Sequence, residues 1–513
     1  MTDITGYRER GGLPSESGNT LGGAGQSALS AQVHRILTPK LPLLNTPGSV
    51  LENTIYYDVN SSSVSVLEEQ ASFAKDRISL NSVALGSTST AYIPSFLFAG
   101  NVWWVGSLKS SVIPTTTNDR IQANQGYGFN LLRNIIIYMG SSNIAQLQLS
   151  GIANFMIAMA CCETKGKRSE VIEGAGKLLN AVNPYSPLAV AEAGKPFFRY
   201  KTAGNYYIAT TSTIPDKDLA QFTVPLRLPW TSLSVVDKRL SLDTKLLTQP
   251  IQIILDVMPQ SSAFTVTGSS DFIASFQELE YSTLQLYQEE LTDKSMSVRN
   301  ELLALPEFNV GLPFQYPQAI DFNIPSSNDT GKSDYRFEVN LSSIINSDLT
   351  TFLFMVTSDY MSSLSTDAKN FEPLYGMRLL DLELKLNGQR FFNFDGDIFK
   401  YVYLSKTMDC YTPEFYGSFM KDASNIDPVI LDSYIYELNN SRLRAIIAES
   451  HLQNTCRFTN QTFQLSFKID RTVNWPYVTN VESKKGFTLR MCYLFNGVFL
   501  IGGDGGTSKL ITN

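Results

Sequence analysis

Apolar residues in this chain recur at every second position far more often than at the spacing of a helix, and that period confines the fold to sheets. Leu380, Leu382, Leu384 and Leu386 alternate with Asp381, Glu383, Lys385 and Asn387. Phe463, Leu465, Phe467 and Ile469 alternate with Gln464, Ser466, Lys468 and Asp470, and a looser run covers 51–59. Side chains of a strand point alternately to opposite faces, so each run predicts an antiparallel strand with one apolar and one wet face. Composition agrees: only 17% of residues are charged, and 30 Phe and 24 Tyr supply bulk that suits pleated surfaces.

A chain of 513 residues exceeds what one core of up to about 300 residues fills, so two domains are expected. Residues 1–30 hold seven glycines and four serines and cannot offset the entropy of ordering, which predicts a flexible N-terminal arm over 1–44. Helical signals are short. One falls at 169–182 with Ser169 as N-cap, weakened by about 1 kcal/mol at each of Gly174 and Gly176. A second spans 293–305 before Pro306, and a third 440–451. The expected architecture is all-β: a first barrel at 45–292, a linking helix at 293–306, a second barrel at 307–503 and a loose tail at 504–513. An internal repeat supports duplication. Segments 130–140 and 378–388 superpose without gaps, matching Leu131 with Leu379, Leu132 with Leu380 and Gly140 with Gly388, each a strand entering a turn. Asn387-Gly388 suits a type I′ hairpin turn.

The residues offer little for catalysis. Only His34 and His451 are present, so histidine acid-base work or metal binding has little to draw on. No HExxH, GxSxG or P-loop pattern occurs, and the glycine run 502–506 lacks the following helix that phosphate binding needs. Asp395 and Asp397 flank Gly396 beside Phe391, Phe392 and Phe394, a pattern that fits a solvated turn better than a calcium loop. Glu289 and Glu290 precede a helix start, where negative charge complements the dipole. Trp103 and Trp104 are adjacent on a strand, so one should face the core and the other an interface. Cys161, Cys162, Cys410, Cys456 and Cys492 form no CxxC pair and read as buried packing thiols in a reducing compartment. A net charge of -7 disfavours direct nucleic-acid binding. The N-terminal residues carry no apolar run, so no secretory signal is expected, and sequons such as Asn60, Asn328 and Asn460 carry no weight. The apolar stretch 151–162 is too short for a bilayer, which needs about 20 residues. Catalytic, cofactor and metal sites are accordingly all expected to be absent.

The order of segments resembles the double jelly-roll major capsid proteins of the lineage holding virophages, polinton-like viruses, nucleocytoplasmic large DNA viruses, adenoviruses and some tailless phages. The similarity runs through the strand and glycine turn at 126–140, the Pro-Leu-rich 224–230, and the strand at 276–291 with its following helix. It continues through Pro313 to Pro317, the strand pair at 335–342 and 351–356, the Asn387-Gly388-Gln389 turn and the final strand at 490–501 with Gly502 and Gly503. Two departures stand out: the linking helix carries Arg299 where large-virus members are Arg-rich, and Gly140-Ser141 replaces a Gly-Gly pair.

The resemblance implies two tandem eight-stranded jelly rolls and a structural, non-enzymatic role in a virion. It further implies homotrimeric, pseudo-hexagonal capsomers that tile an icosahedral shell beside neighbouring capsomers, penton proteins and minor or cement proteins, with no sequence-specific nucleic-acid contact. The rival from another class is a two-domain carbohydrate-binding or carbohydrate-active β protein, which would need a groove with aromatic platforms and paired carboxylates.

Overall fold

The computed structural model describes residues 77–93, 97–108, 120–123, 125–138, 146–176, 179–182, 221–228, 242–247, 250–267, 269–288, 297, 300–301, 303–304, 309–324, 336–340, 348–358, 374–397, 408–422, 425–438, 456–457, 463–469, 487–502 and 509–512. Two sets of eight strands carry the architecture. The first is β1 (Arg77–Ser79), β2 (Thr88–Ile93), β3 (Leu97–Leu108), β4 (Leu132–Tyr138), β5 (Gln146–Ser150), β6 (Gln221–Leu226), β7 (Ile251–Val257) and β8 (Leu279–Gln288). The second is β9 (Asn309–Ile324), β10 (Arg336–Asn340), β11 (Asp348–Ser358), β12 (Leu379–Leu386), β13 (Gln389–Asp397), β14 (Ile435–Leu438), β15 (Phe463–Ile469) and β16 (Phe487–Gly502).

In the first set the sheets run β1-β8-β3-β6 and β2-β7-β4-β5; in the second they run β9-β16-β11-β14 and β10-β15-β12-β13. The order is the same when eight is added to each label. First pairs with last, second with second-last and so on inward, as when one long hairpin is rolled into two facing sheets. That is the jelly roll, and the chain makes it twice.

Strand β7 follows the half-buried pattern: Ile251, Ile253, Leu255 and Val257 are buried, and the residues between them partly exposed. Trp104 is fully buried and donates its indole N–H to Ser282 Oγ at 2.8 Å, while Trp103 is half-buried on the other face. Phe222 meets Trp104 edge-on at 4.8 Å, and a Cβ on Gly106 would sit 2.4 Å from the Phe222 ring, which is why glycine stands there. In the second roll Phe354 stacks on Tyr436 at 5.3 Å, and Leu379 N donates to Tyr436 Oη across the two sheets at 2.9 Å. Edge strand β9 accommodates Pro313 and Pro317, four residues apart, where missing N–H groups cost no ladder bond.

The repeat found in the sequence falls on equivalent strands, β4 and β12, but the gapless superposition does not hold in detail. Asp381 adopts a left-handed φ of 49° in a bulge, so the inward residues of β12 are Leu379, Leu382 and Leu384 and not Leu380. Leu382 and Leu384 occupy the places of Ile135 and Ile137, one step out of the alignment. The face expected to be wet is not uniformly so: Glu383 is 1% exposed and takes a hydrogen bond from Arg390 Nε, with Lys385 3.7 Å away. The Asn387-Gly388 turn has φ of 50° and 77°, as a type I′ turn requires.

Helices are few. The one expected at 169–182 begins earlier: Thr164 Oγ1 caps Lys167 N at 3.2 Å, the helix spans Lys165–Gly174, and Leu179–Val182 is a strand. Thr164 wins because its own position is extended, whereas Ser169 sits inside the helix and bonds Lys165 O. Within 293–306, Ser297, Asn300, Glu301, Leu303 and Ala304 are helical. The tail expected to be loose instead adds a strand, Lys509–Thr512, paired with Gly497 to Leu500 of β16. The arm at 1–44, the run 51–59, the helix at 440–451 and Gly140 lie outside the described residues.

Phe467→Ala should lower stability by about 3–5 kcal/mol because Phe467 is fully buried, and Tyr92→Ala, at a residue 58% exposed, should change it by no more than about 0.5 kcal/mol. Denaturant midpoints of the two variants check this.

Candidate functional site at the seam between the rolls

Strand β11 differs from β7 in one respect: Phe352, Leu353, Phe354, Met355 and Val356 are all fully buried. A strand apolar on both faces must be covered on both. Phe352, Phe354 and Val356 face the second sheet of their own roll. The opposite face carries a row of register partners, Ala319, Cys492, Leu353, Glu437 and Asp409, the last from a strand at Met408–Tyr411.

The first roll covers this outer face around Leu353 and Cys492 and leaves Asp409, on the edge strand, exposed. After β5 the chain forms helix α1 (Gly151–Ala160), whose N-cap Ser150 Oγ accepts from Ala153 N at 3.1 Å, and then α2 (Lys165–Gly174). Helix α1 is buried almost all round, as its sequence GIANFMIAMA requires. It touches β9, β11 and β16, and β5 also touches β9. A Cβ on Gly151 would lie 1.8 Å from Leu132 O, so only glycine lets α1 start there. Asn154, fully buried, donates to Pro225 O at 2.9 Å and accepts from Arg227 N at 2.7 Å, tying α1 to the end of β6.

An aromatic chain crosses the seam. Phe129 meets Phe155 at 5.2 Å, and Phe155 meets Phe415 of the second roll at 6.0 Å. Arg168 of α2 donates to Cys162 O at 2.6 Å and holds its guanidinium 5.3 Å from the centre of the Tyr411 ring. At the rim, Lys165 Nζ lies 2.6 Å from Glu414 Oε1 and 3.0 Å from Asp432 Oδ1.

Asp409 is exposed at the sheet edge, and Glu437 is the acid nearer the apolar residues of the row. The residue as a whole is half-buried, but its carboxyl is enclosed by protein, and burial pushes it up to about 7, against the lowering effect of the Tyr411 hydroxyl and with help from Asp409. Tyr411 donates to Glu437 Oε2. Burial also raises Asp409.

The residues singled out in the sequence do not converge here. Asp395 and Asp397 lie in β13, their side chains outside the described residues, as are His34, His451, Glu289, Glu290 and Gly503 to Gly506. Cys492 is buried as expected, but Cys161, Cys162 and Cys410 are only half-buried; all four are free thiols. Burial raises the thiols of Cys161 and Cys162. Among the described residues no group of three metal-ligating side chains occurs, and no helix is long and apolar enough to cross a membrane. Glu437 and Arg168 were missed because nothing local marks a buried acid; the continuous run at 352–356 was the available signal of a doubly covered sheet.

Phe155→Ala should destabilise the chain by about 3 kcal/mol or more, whereas Lys165→Met should cost less than about 1 kcal/mol because its ion pairs are part-exposed. Thermal unfolding of both variants, the second also at high salt, measures the difference.

No family model matches the sequence, and no curated protein does. Solved structures similar in fold include VP54 of PBCV-1 as fitted into a reconstruction of the virophage Sputnik, at 13% identity over 85% of this chain and 95% of that one with a TM-score of 0.47. The mavirus major capsid protein matches at 12% identity over 85% of this chain and 89% of its own, TM-score 0.44. The Faustovirus major capsid protein matches at 8% identity over 82% and 89%, TM-score 0.43.

Proposed function

We propose that this chain is a major capsid protein, a structural and non-enzymatic block that assembles into the shell of an icosahedral DNA virus. The observation that carries the proposal is the strand order: one jelly roll written twice in one polypeptide, with the two copies joined face to helix through a buried seam. The ordered series of segments from 126 to 503 that resembles the double jelly-roll capsid lineage supports the same role.

Two rolls per chain make a threefold oligomer a ring of six similar units, close to a hexagon in outline, and hexagonal units tile a flat facet. The proposed assembly is therefore a homotrimer that packs against neighbouring trimers, with penton and minor or cement proteins at the vertices and joints. Its place is the virion. Stable subunit contacts of this kind bury more than about 2,000 Å² and rely on shape more than on charge. The low charge content of the chain fits such contacts.

Purified protein at micromolar concentration should sediment as a trimer and show three-lobed or hexagonal particles in negative stain. A persistent monomer would overturn the proposal. Robust glycosidase turnover in the same preparation would favour the carbohydrate-active alternative instead.

A further inference from the structure

The two rolls share a strand order but finish one sheet differently. In β2-β7-β4-β5 of the first roll, the residues that alternate with the core make an outward face with little charge. Gln252 stands between Tyr92 and Tyr138, and in the next row Ile254 stands between Thr90 and Ile136. Tyr92 is 58% exposed, and Ile254, Ile136 and Tyr138 are half-buried. Asp256 and Arg133 are the charged residues of these four strands, and they meet at 3.5 Å at one end of the face.

The equivalent sheet of the second roll, β10-β15-β12-β13, carries Lys468, Asp381, Glu383, Lys385 and Arg390 among its charged residues. Lys468 pairs with Asp381 at 2.8 Å, and Arg390 with Glu383. One fold thus gives the same sheet a charged outer face in one copy and a neutral one in the other, so the neutral face is not a requirement of the jelly roll. Two isoleucines at its centre, tyrosines beside them and amides around them match the centre of a protein contact, where charge is depleted and aromatic residues are enriched.

We propose that the neutral face of β2-β7-β4-β5 docks a second copy of this chain, as a contact between assembled blocks. The inference rests on the reading of the chain as a self-assembling block and names the surface involved. Charge identifies the occupant: the chain carries a net charge of -7, so copies repel at a distance and meet most readily where neither presents an acid. A strongly basic partner would instead call for acids on this face. Area sets the strength. Four strands about 4.8 Å apart, with about 3.4 Å per residue over six residues, make a face of roughly 400 Å². That is half of the roughly 800 Å² per partner of a standard stable contact. The face therefore joins blocks reversibly and does not hold one block together.

Sedimentation of the full chain over a range of concentrations tests this with variants that add one acid each. Tyr92→Glu and Gln148→Glu, at exposed positions of the neutral face, should weaken association between blocks by about tenfold. Gln464→Glu adds the same charge to the outer face of the second roll and should leave that association unchanged. Hydroxyl-radical footprinting of the wild type needs no variant to fold: labelling of Tyr92 should fall about threefold or more between dilute and associated protein as water is excluded. Undiminished labelling of Tyr92 in associated protein, or equal weakening by all three variants, overturns the proposal while leaving the assembly role standing. Tyr92 labelling that falls on addition of a neutral oligosaccharide to dilute protein, and not on association, assigns the face to a glycan and overturns it too. A wild type that stays monomeric at every concentration defeats the assembly role itself.

Discussion

Strand β11 in the sheet β9-β16-β11-β14 is apolar on both faces from Phe352 to Val356, and the relation between the two rolls follows from that constraint. Phe352, Phe354 and Val356 fill the interior of the second roll, while Leu353, Met355 and Cys492 on the opposite face would otherwise meet water. Helix α1 of the first roll lies over that face. At roughly 1.5–3 kcal/mol for each large side chain removed from water, the covering of this face outweighs the exposed ion pairs at its rim. The two rolls therefore share a core at the seam in addition to the one each has inside.

Polar groups in this seam are arranged around that packing. Asn154 satisfies both ends of its amide at the exit of β6, and Arg168 sits over the Tyr411 ring. Glu437 faces the carboxylate of its register partner Asp409 and has the Tyr411 hydroxyl as its donor. Elsewhere Glu383, which is more deeply buried, is met by Arg390 and Lys385.

Much of this fold was legible along the chain. Alternation at 463–469 placed Leu465 and Phe467 inside, Asn387-Gly388 announced its turn, and the repeat at 130–140 and 378–388 fell on equivalent strands. The failures have local causes. A left-handed Asp381 shifted the inward phase of β12, a cap at Thr164 in place of Ser169 moved the start of a helix by five residues, and the last strand joined an edge that β16 had left open. Bulges and caps depend on single backbone conformations, which periodicity does not register.

What the sequence by itself determined is the class of structure: strands with period two and a chain long enough for two cores. What only the tertiary structure decided is which roll covers which sheet, and with it the surroundings of Glu437. The physical reason is that burial is a property of a residue's partners in space. A run such as Phe352 to Val356 states that two faces need covering, but the helix that covers the second one lies some two hundred residues earlier in the chain.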